Sequence, residues 1–345
     1  MNILFDINHP AHVHLFKNAV HILKAKGHHV VITSRDKDIT VQLLNNLNLP
    51  HIVLSKAQKG LFRLSLELVW KQMRLLPILL KNKIQVCVSV TGACNVHICK
   101  LLGIPTLVFY DTEHATLQNK LTVPFATYFI TPESFEGRYG KNHITYQGTH
   151  DLAYLHPKYF TPNAKIYNFL GLRPQEKYTI IRFVSWQAAH DMGYQGIPID
   201  LKRKIIEMCA QQGKVFIVSE DPNLGEFREY QLNIPPEKMH DVLAFASLYI
   251  GEGGSMATEA AILGTPAIFV SPLSAGVFQY LETYDLMYAF KPHEETKIFS
   301  KIQFLLKSDD IKSQWQAKRQ KFISENIDLT EWMTEFILSQ KLGKS

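Results

Sequence analysis

The chain has 345 residues and a formal net charge of +6, with 46% hydrophobic and 20% charged residues. That length suffices for two domains of ordinary size, and the composition excludes a largely disordered protein. Its lysines and arginines are scattered rather than gathered in a stripe, which suits small anions or a membrane surface and argues against a nucleic-acid partner.

Asn2-Ile3-Leu4-Phe5-Asp6-Ile7 reads as a first strand, ending in a polar, proline-containing loop, Asn8-His9-Pro10-Ala11-His12. Leu15, Phe16, Ala19, Ile22 and Leu23 have helical spacing and predict a helix over 14–26, closed by Gly27. A second strand at 30–34, a helix carrying Val41, Leu43 and Leu44, and a third strand at 51–54 follow. Strands at 86–90, 106–110, 126–131 and 144–146 continue the alternation, which breaks over the proline-containing segment 156–163. It restarts with strands at 178–184, 214–219, 248–250 and 266–270, and a last helix is expected over 330–340. Continuous apolar strands alternating with helices indicate parallel sheets covered on both faces. The expected domains are residues 1–160 and 175–330, both doubly wound, with 331–345 a helix crossing back to the first.

Asp6 and His9 stand where a signal peptide would be apolar, and no run reaches the roughly 18 apolar residues that span a bilayer. The four cysteines, Cys87, Cys94, Cys99 and Cys209, lack CxxC spacing and read as reduced core residues. A cytoplasmic protein is expected. The positive surplus leaves room for a peripheral contact at the inner face of the membrane.

In an open parallel sheet the ligand lies beyond the carboxyl ends of the strands, and each unusual polar cluster here follows a predicted strand. Asp6, Asn8, His9, His12 and His14 end the first strand. His12 and His14 point to different sides in either an extended or a helical segment, and no second ligand cluster accompanies them, so no metal is expected. His12 fits a general base held at an exposed helix start; His14 fits a structural helix position. Asp111, Thr112, Glu113 and His114 end the fifth strand, with Asn119 beyond, and suit proton transfer or hydroxyl binding. Helix capping would account for only Asp111 or Thr112. Arg182 lies inside a strand and reads as a site residue, an edge-strand residue or an interdomain pair. Ser185-Trp186 and His190-Asp191 follow it, Ser219-Glu220-Asp221 ends the next strand, and His240-Asp241 precedes the helix leading to a glycine turn.

That turn is Gly251-Glu252-Gly253-Gly254-Ser255-Met256-Ala257-Thr258-Glu259, continuing to Gly264-Thr265-Pro266. It reads as buried strand, glycine turn, and a helix opening at Ser255 or Met256. Glycines allow a sharp turn and close approach of a ligand, and the open N–H groups and dipole of a helix start favour an anion such as phosphate. Glu259, one turn in, is within reach of a sugar hydroxyl beside that phosphate. An ordinary strand-to-helix turn is the plain alternative. No Lys follows the glycines, so this is not a Walker loop, and GxGxxG spacing is absent. A GxSxG nucleophile elbow is absent too, as is the Lys and paired-carboxylate set of ATP phosphoryl transfer.

The stretch 251–266 resembles the nucleotide-sugar motif of GT-B glycosyltransferases and UDP-N-acetylglucosamine 2-epimerases. Asn8 to Phe16, with Arg182 to Trp186 and His190-Asp191, is similar to a bacterial and archaeal family described only as a domain of unknown function and grouped by fold with the GT-B proteins. The resemblance implies an α/β fold of GT-B type, two doubly wound Rossmann-like domains facing a central cleft. Residues 1–160 would be the acceptor and catalytic side, and 175–330 the nucleotide-sugar-binding domain. It implies Gly253, Gly254, Ser255 and Met256 on a diphosphate, Glu259 on the ribose hydroxyls and His240 near the base, with Ser185 joining the phosphate-binding set. Ala11-His12-Val13 resembles the Gly-His-Val turn of the peptidoglycan N-acetylglucosaminyltransferase, which puts His12 at the reacting end. The glycine-rich first turn of that enzyme is missing, and so is most of the Gln-Glu-Glu run of the epimerases. A metal-independent transferase using a UDP-sugar as substrate, with no separate cofactor, is the first expectation, in cell-surface glycan synthesis and with an undefined acceptor. Its catalytic group would be His12, Glu113, His114, His190 and Asp191. The alternative is a nucleotide-sugar 2-epimerase, for which Asp111, Glu113, His114 and His190 are available around C2.

Overall fold

A computed structural model of the chain describes all residues except 59, 91, 114, 185–195, 220–223, 309 and 341–345, and the side chains of 61, 62, 116 and 117. The chain divides into two compact units, Met1–Tyr159 with Ile327–Ser345, and Phe160–Asn326. The first begins β1 (Asn2–Ile7), α1 (Pro10–Ala25), β2 (His29–Asp36), α2 (Thr40–Asn46), β3 (Ile52–Lys56) and α3 (Leu61–Lys81). It continues β4 (Val86–Ser89), α4 (Val96–Leu101), β5 (Thr106–Phe109), α5 (Thr116–Thr122), β6 (Tyr128–Pro132), β7 (His143–Tyr146) and α6 (Leu152–Leu155). These strands form one seven-stranded sheet in the order β3-β2-β1-β4-β5-β6-β7, parallel throughout.

The second unit runs α7 (Ile166–Phe169), β8 (Tyr178–Phe183), α8 (Ile199–Ala210), β9 (Lys214–Ser219), α9 (Met239–Phe245), β10 (Leu248–Gly251) and α10 (Gly254–Ile262). β11 (Ala267–Val270), α11 (Gly276–Thr283), β12 (Met287–Phe290), α12 (Glu295–Lys307) and α13 (Ile311–Glu325) complete it. Its sheet has the order β12-β11-β10-β8-β9, again all parallel. The last helix, α14 (Leu329–Ser339), belongs to the first unit. There Leu329, Met333 and Ile337 are fully buried, and the Thr330 hydroxyl donates to the Ala153 carbonyl at 2.7 Å.

The central strands are covered on both faces. Ile3, Leu4 and Phe5 in β1, Val86 to Val88 in β4, and Ile180 and Ile181 in β8 have no exposed surface, as continuous apolar runs in parallel sheets require. Each sheet reverses its direction of growth once. In the first unit the switch lies between β1 and β4; in the second it lies between β8 and β10. Open α/β sheets bind ligands in the crevice at such switch points.

Two expectations change. Helix α1 starts at Pro10 rather than at residue 14, because proline's fixed φ suits a first helical position and His9 caps it, its Nδ1 accepting from Ala11 N at 3.2 Å. β8 is flanked by β10 and β9, so Arg182 is not on an edge strand. Cys87, Cys99 and Cys209 are buried, Cys94 is half-buried, and all are free thiols.

Candidate functional site

At the switch point of the first unit, the end of β1 is held by a buried ionic network. Lys71 of α3 reaches Asp6 at 3.1 Å and also hydrogen-bonds Asn8 Oδ1. Asp6 accepts further bonds from Asn8, Thr33 and Asn95. Burial works against the Lys71 charge, but Asp6 outweighs it and raises its pKa. A buried ion pair supplied with this many hydrogen bonds is costly to break at either end. It fixes Asn8, whose backbone N–H donates to His12 Nδ1 at 3.2 Å.

That bond decides what His12 can do. With Nδ1 accepting, the proton of the neutral ring sits on Nε2, so the remaining nitrogen is a donor. Burial pushes the His12 pKa well below the ordinary value, with neighbouring His9 adding to the effect. His12 is also almost fully buried. The expectation of an exposed general base at this residue does not fit such a geometry. His9 is similarly used as the α1 cap, and burial first, then Lys37, brings it down to about 4.

A different imidazole of the first unit is paired with a carboxylate. His150, in the loop after β7, pairs through Nδ1 with Asp111 Oδ2 at 3.0 Å. Burial opposes the Asp111 charge, but His150 and a hydrogen bond from Thr112 hold its carboxylate down at about 2. Asp111 is the part-exposed member and His150 the buried one, its ring stacked on Tyr146. His150 Nε2 has no hydrogen-bond partner among the described residues, and buried polar atoms left unmade in this way call for a ligand or water. Neither Asp111 nor Thr112 caps α5, whose N-cap is Ala115. Glu113 accepts a bond from Glu136 N at 3.3 Å. His14 stacks on Tyr154 as a structural helix residue, and His114 lies outside the described residues.

In the second unit, the glycine turn sits at the switch point, and its glycines are needed for space rather than for unusual φ. A Cβ on Gly251 would lie 2.7 Å from Arg182 Cβ and 2.8 Å from Arg182 O, and one on Gly254 would lie 2.7 Å from Phe278. α10 opens at Gly254 with Gly253 as N-cap, a residue with no side chain to cap the helix. The N–H groups of Gly254, Ser255 and Met256 thus start the helix as open donors. The Arg182 stem packs beside Gly253, where an added Cβ would meet its Cγ at 3.1 Å and its Nε at 3.7 Å. A guanidinium accordingly stands next to a helix N-terminus, and both favour an anion.

Glu252, unremarked in the sequence, is nearly buried and accepts from Val184 N at 3.0 Å and from Ile197 N at 2.5 Å. It staples the exit of β8 to the approach to α8. Glu259 is also nearly buried, not a surface acid of the helix: it bonds His240 Nε2 at 3.1 Å, and His240 packs edge-on against Phe160. Truncating Glu259 would leave a buried imidazole without its carboxylate, so Gln is the informative replacement. Ser185, His190 and Asp191 lie outside the described residues. So do Glu220 and Asp221. Among the described residues no group of three or more His, Cys, Asp or Glu is arranged to hold a metal.

Two parallel α/β units, each with a polar cluster at the switch point of its own sheet, define a protein of GT-B type. The family described as "Protein of unknown function (DUF354)" matches residues 1–337, and the chain belongs to it. It is 25% identical over 301 residues to the uncharacterized protein MJ0665 of Methanocaldococcus jannaschii, covering 83% of this chain and 87% of that one. Its fold is similar to that of UDP-GlcNAc 2-epimerase from Neisseria meningitidis bound to UDP-GlcNAc, with TM-score 0.66, 10% identity, and 99% and 100% of the two chains covered. It is similar as well to spinosyn rhamnosyltransferase SpnG complexed with spinosyn aglycone, with TM-score 0.64, 11% identity, and 99% and 100% covered.

Proposed function

We propose that the chain is a nucleotide-sugar-dependent glycosyltransferase of GT-B type, taking a UDP-sugar as donor. The observation that carries this reading is the opening of α10: first-turn N–H groups with no side-chain cap among the described residues, beside the Arg182 guanidinium and over glycines that leave no room for a side chain. Such a site suits a diphosphate, and as the bond from the anomeric carbon to the diphosphate breaks, the dipole and the cation offset the charge on the leaving group. The acceptor hydroxyl forms the new bond to that carbon and gives up its proton, a step for which the Asp111–His150 pair is the acid–base group of the first unit. Asp111 faces the hydroxyl, and His150 stands behind it as the orienting partner.

Calorimetry with UDP, GDP, CDP and dTDP, with and without EDTA, tests the donor site. At least one diphosphate should bind, unaffected by EDTA, and Arg182→Met should weaken it by about 1.5–3 kcal/mol, the range for hydrogen bonds to charged groups. Failure of all four, or binding abolished by EDTA, would remove the assignment. The same acids and imidazole also suit proton removal beside C2, the step of a 2-epimerase. Incubation with UDP-GlcNAc alone separates the readings, because only an epimerase consumes it without an acceptor.

A further inference from the structure

The outward face of α3 is not used by any of this machinery. Leu66, Val69, Trp70, Met73 and Leu80 recur at helical spacing and are each 56–63% exposed. They extend over roughly 21 Å of helix. The opposite face is buried through Glu67, Lys71, Leu75 and Leu79. Beside the helix runs β3, the edge strand of the sheet, with Ile52 and Val53 also exposed. Contiguous apolar surface of this kind on a water-facing helix marks an interaction site.

Charge identifies the partner. The exposed charges of α3 are Arg63, Arg74 and Lys81, all positive. Its one acid, Glu67, is buried against Arg35 through bonds of 2.6 and 2.7 Å. Between α3 and β3 lies a groove of about 620 Å³ lined by Lys56, Arg63 and Arg74 beside Leu66 and Trp70, with Asp36 the acid that remains unneutralised there. A second copy docked on the same face would bring like charges together. An anionic lipid surface would meet both features, with the apolar side chains entering the headgroup boundary and the cations meeting phosphate. Trp70 suits that boundary, carrying a large apolar ring and a polar N–H. No helix among the described residues is long and apolar enough to cross a membrane. We infer that α3 and the groove beside it dock the protein peripherally on an anionic bilayer.

The test uses the full chain sedimented with vesicles of phosphatidylcholine alone and of phosphatidylcholine with 30% phosphatidylglycerol (about 0.3 mole fraction, enough for a strong surface potential). The parent should bind the anionic vesicles and lose binding as salt rises. Trp70→Ser with Met73→Ser should lower its partition at least about tenfold, and Arg63→Glu with Lys81→Glu should do the same on anionic vesicles. Circular dichroism and thermal midpoints like the parent's establish that the variants fold. No binding by the parent, or variants that bind as it does, overturns the inference. A parent that light scattering shows to be a dimer, made monomeric by Trp70→Ser with Met73→Ser, would assign the face to a second copy and overturn it equally. Nucleotide is absent from every arm, so the result is independent of the donor-site reading.

Discussion

Asp111 and His150 come from loops after different strands, and in the proposed reaction their pairing concentrates the acid–base chemistry of the first unit in one place. His12, by contrast, is committed to Asn8 through Nδ1 and held neutral by burial. With a donor, an acceptor and turnover to measure, Asp111→Asn and His150→Gln should each lower kcat by about 10²–10⁴, the usual contribution of a positioned acid or base. The double variant should be little worse than either single one, because residues acting as a unit are far from additive. His12→Asn, which retains an acceptor for Asn8 N–H, should cost less than either. If His12→Asn is the most damaging and His150→Gln is harmless, the proton acceptor belongs back at the β1 loop.

The α1 N-terminus is sensitive to acid by construction. His9 caps it and His12 accepts from Asn8 only while their rings are neutral, and protonation would add charge at the positive end of the helix dipole. Both groups have folded pKa values below the ordinary 6.5, His9 at about 4. The unfolded chain therefore takes up these protons first, and stability present above pH 6.5 is lost as pH falls below it. The slope is at most about 1.4 kcal/mol per pH unit for each proton, and less for part-exposed His9. Urea unfolding from pH 7 to pH 5 should show a shallower loss in His12→Asn than in the parent. Equal slopes would mean that His12 is not held neutral. The strands of this region were legible because buried parallel strands are continuous apolar runs. The start of α1 was not, since histidine is an uncommon cap and Pro10 looks like a breaker. In α3 the contrast between faces is inverted, with Leu66, Val69, Trp70 and Met73 outward and Glu67 and Lys71 buried, so its apolar stripe does not mark a core face, and β12, only Met287–Phe290, is too short to stand out. At the sites, the glycine turn and the oddness of Arg182 were readable, as both are local. His150 was not, although Gly148-Thr149-His150-Asp151 follows a predicted strand as the other clusters do. Its significance comes from Asp111, a contact that only the fold creates.

The chain as a whole leaves the first unit after Tyr159 and returns to it at Ile327. The first unit is thus built from two separate segments, and the second from one. α14 is a structural part of the first unit: besides its buried Leu329, Met333 and Ile337, its Trp332 packs against Tyr146 and Phe109, next to the His150 loop and β5. Asn18 and Thr330 both donate to the Ala153 carbonyl, tying α1, α6 and α14 at one point. Each of those buried apolar side chains is worth about 2–5 kcal/mol when truncated to Ala. Removing all of them exceeds what a domain of about 5–15 kcal/mol tolerates. A chain ended at Asn326 should lose the first unit and keep the second, whose sheet and α10 are contained within Phe160–Asn326. Hydrogen exchange read by mass spectrometry should then show α1 and α6 exchanging rapidly while β10 and α10 stay protected, with nucleoside diphosphate slowing α10 further. Parent-like protection of α1 in the shortened chain would show that α14 only lies on the first unit. Collapse of protection in α10 would show instead that the second unit needs the first in order to fold, and the proposed diphosphate site would then have to be tested only in the full chain.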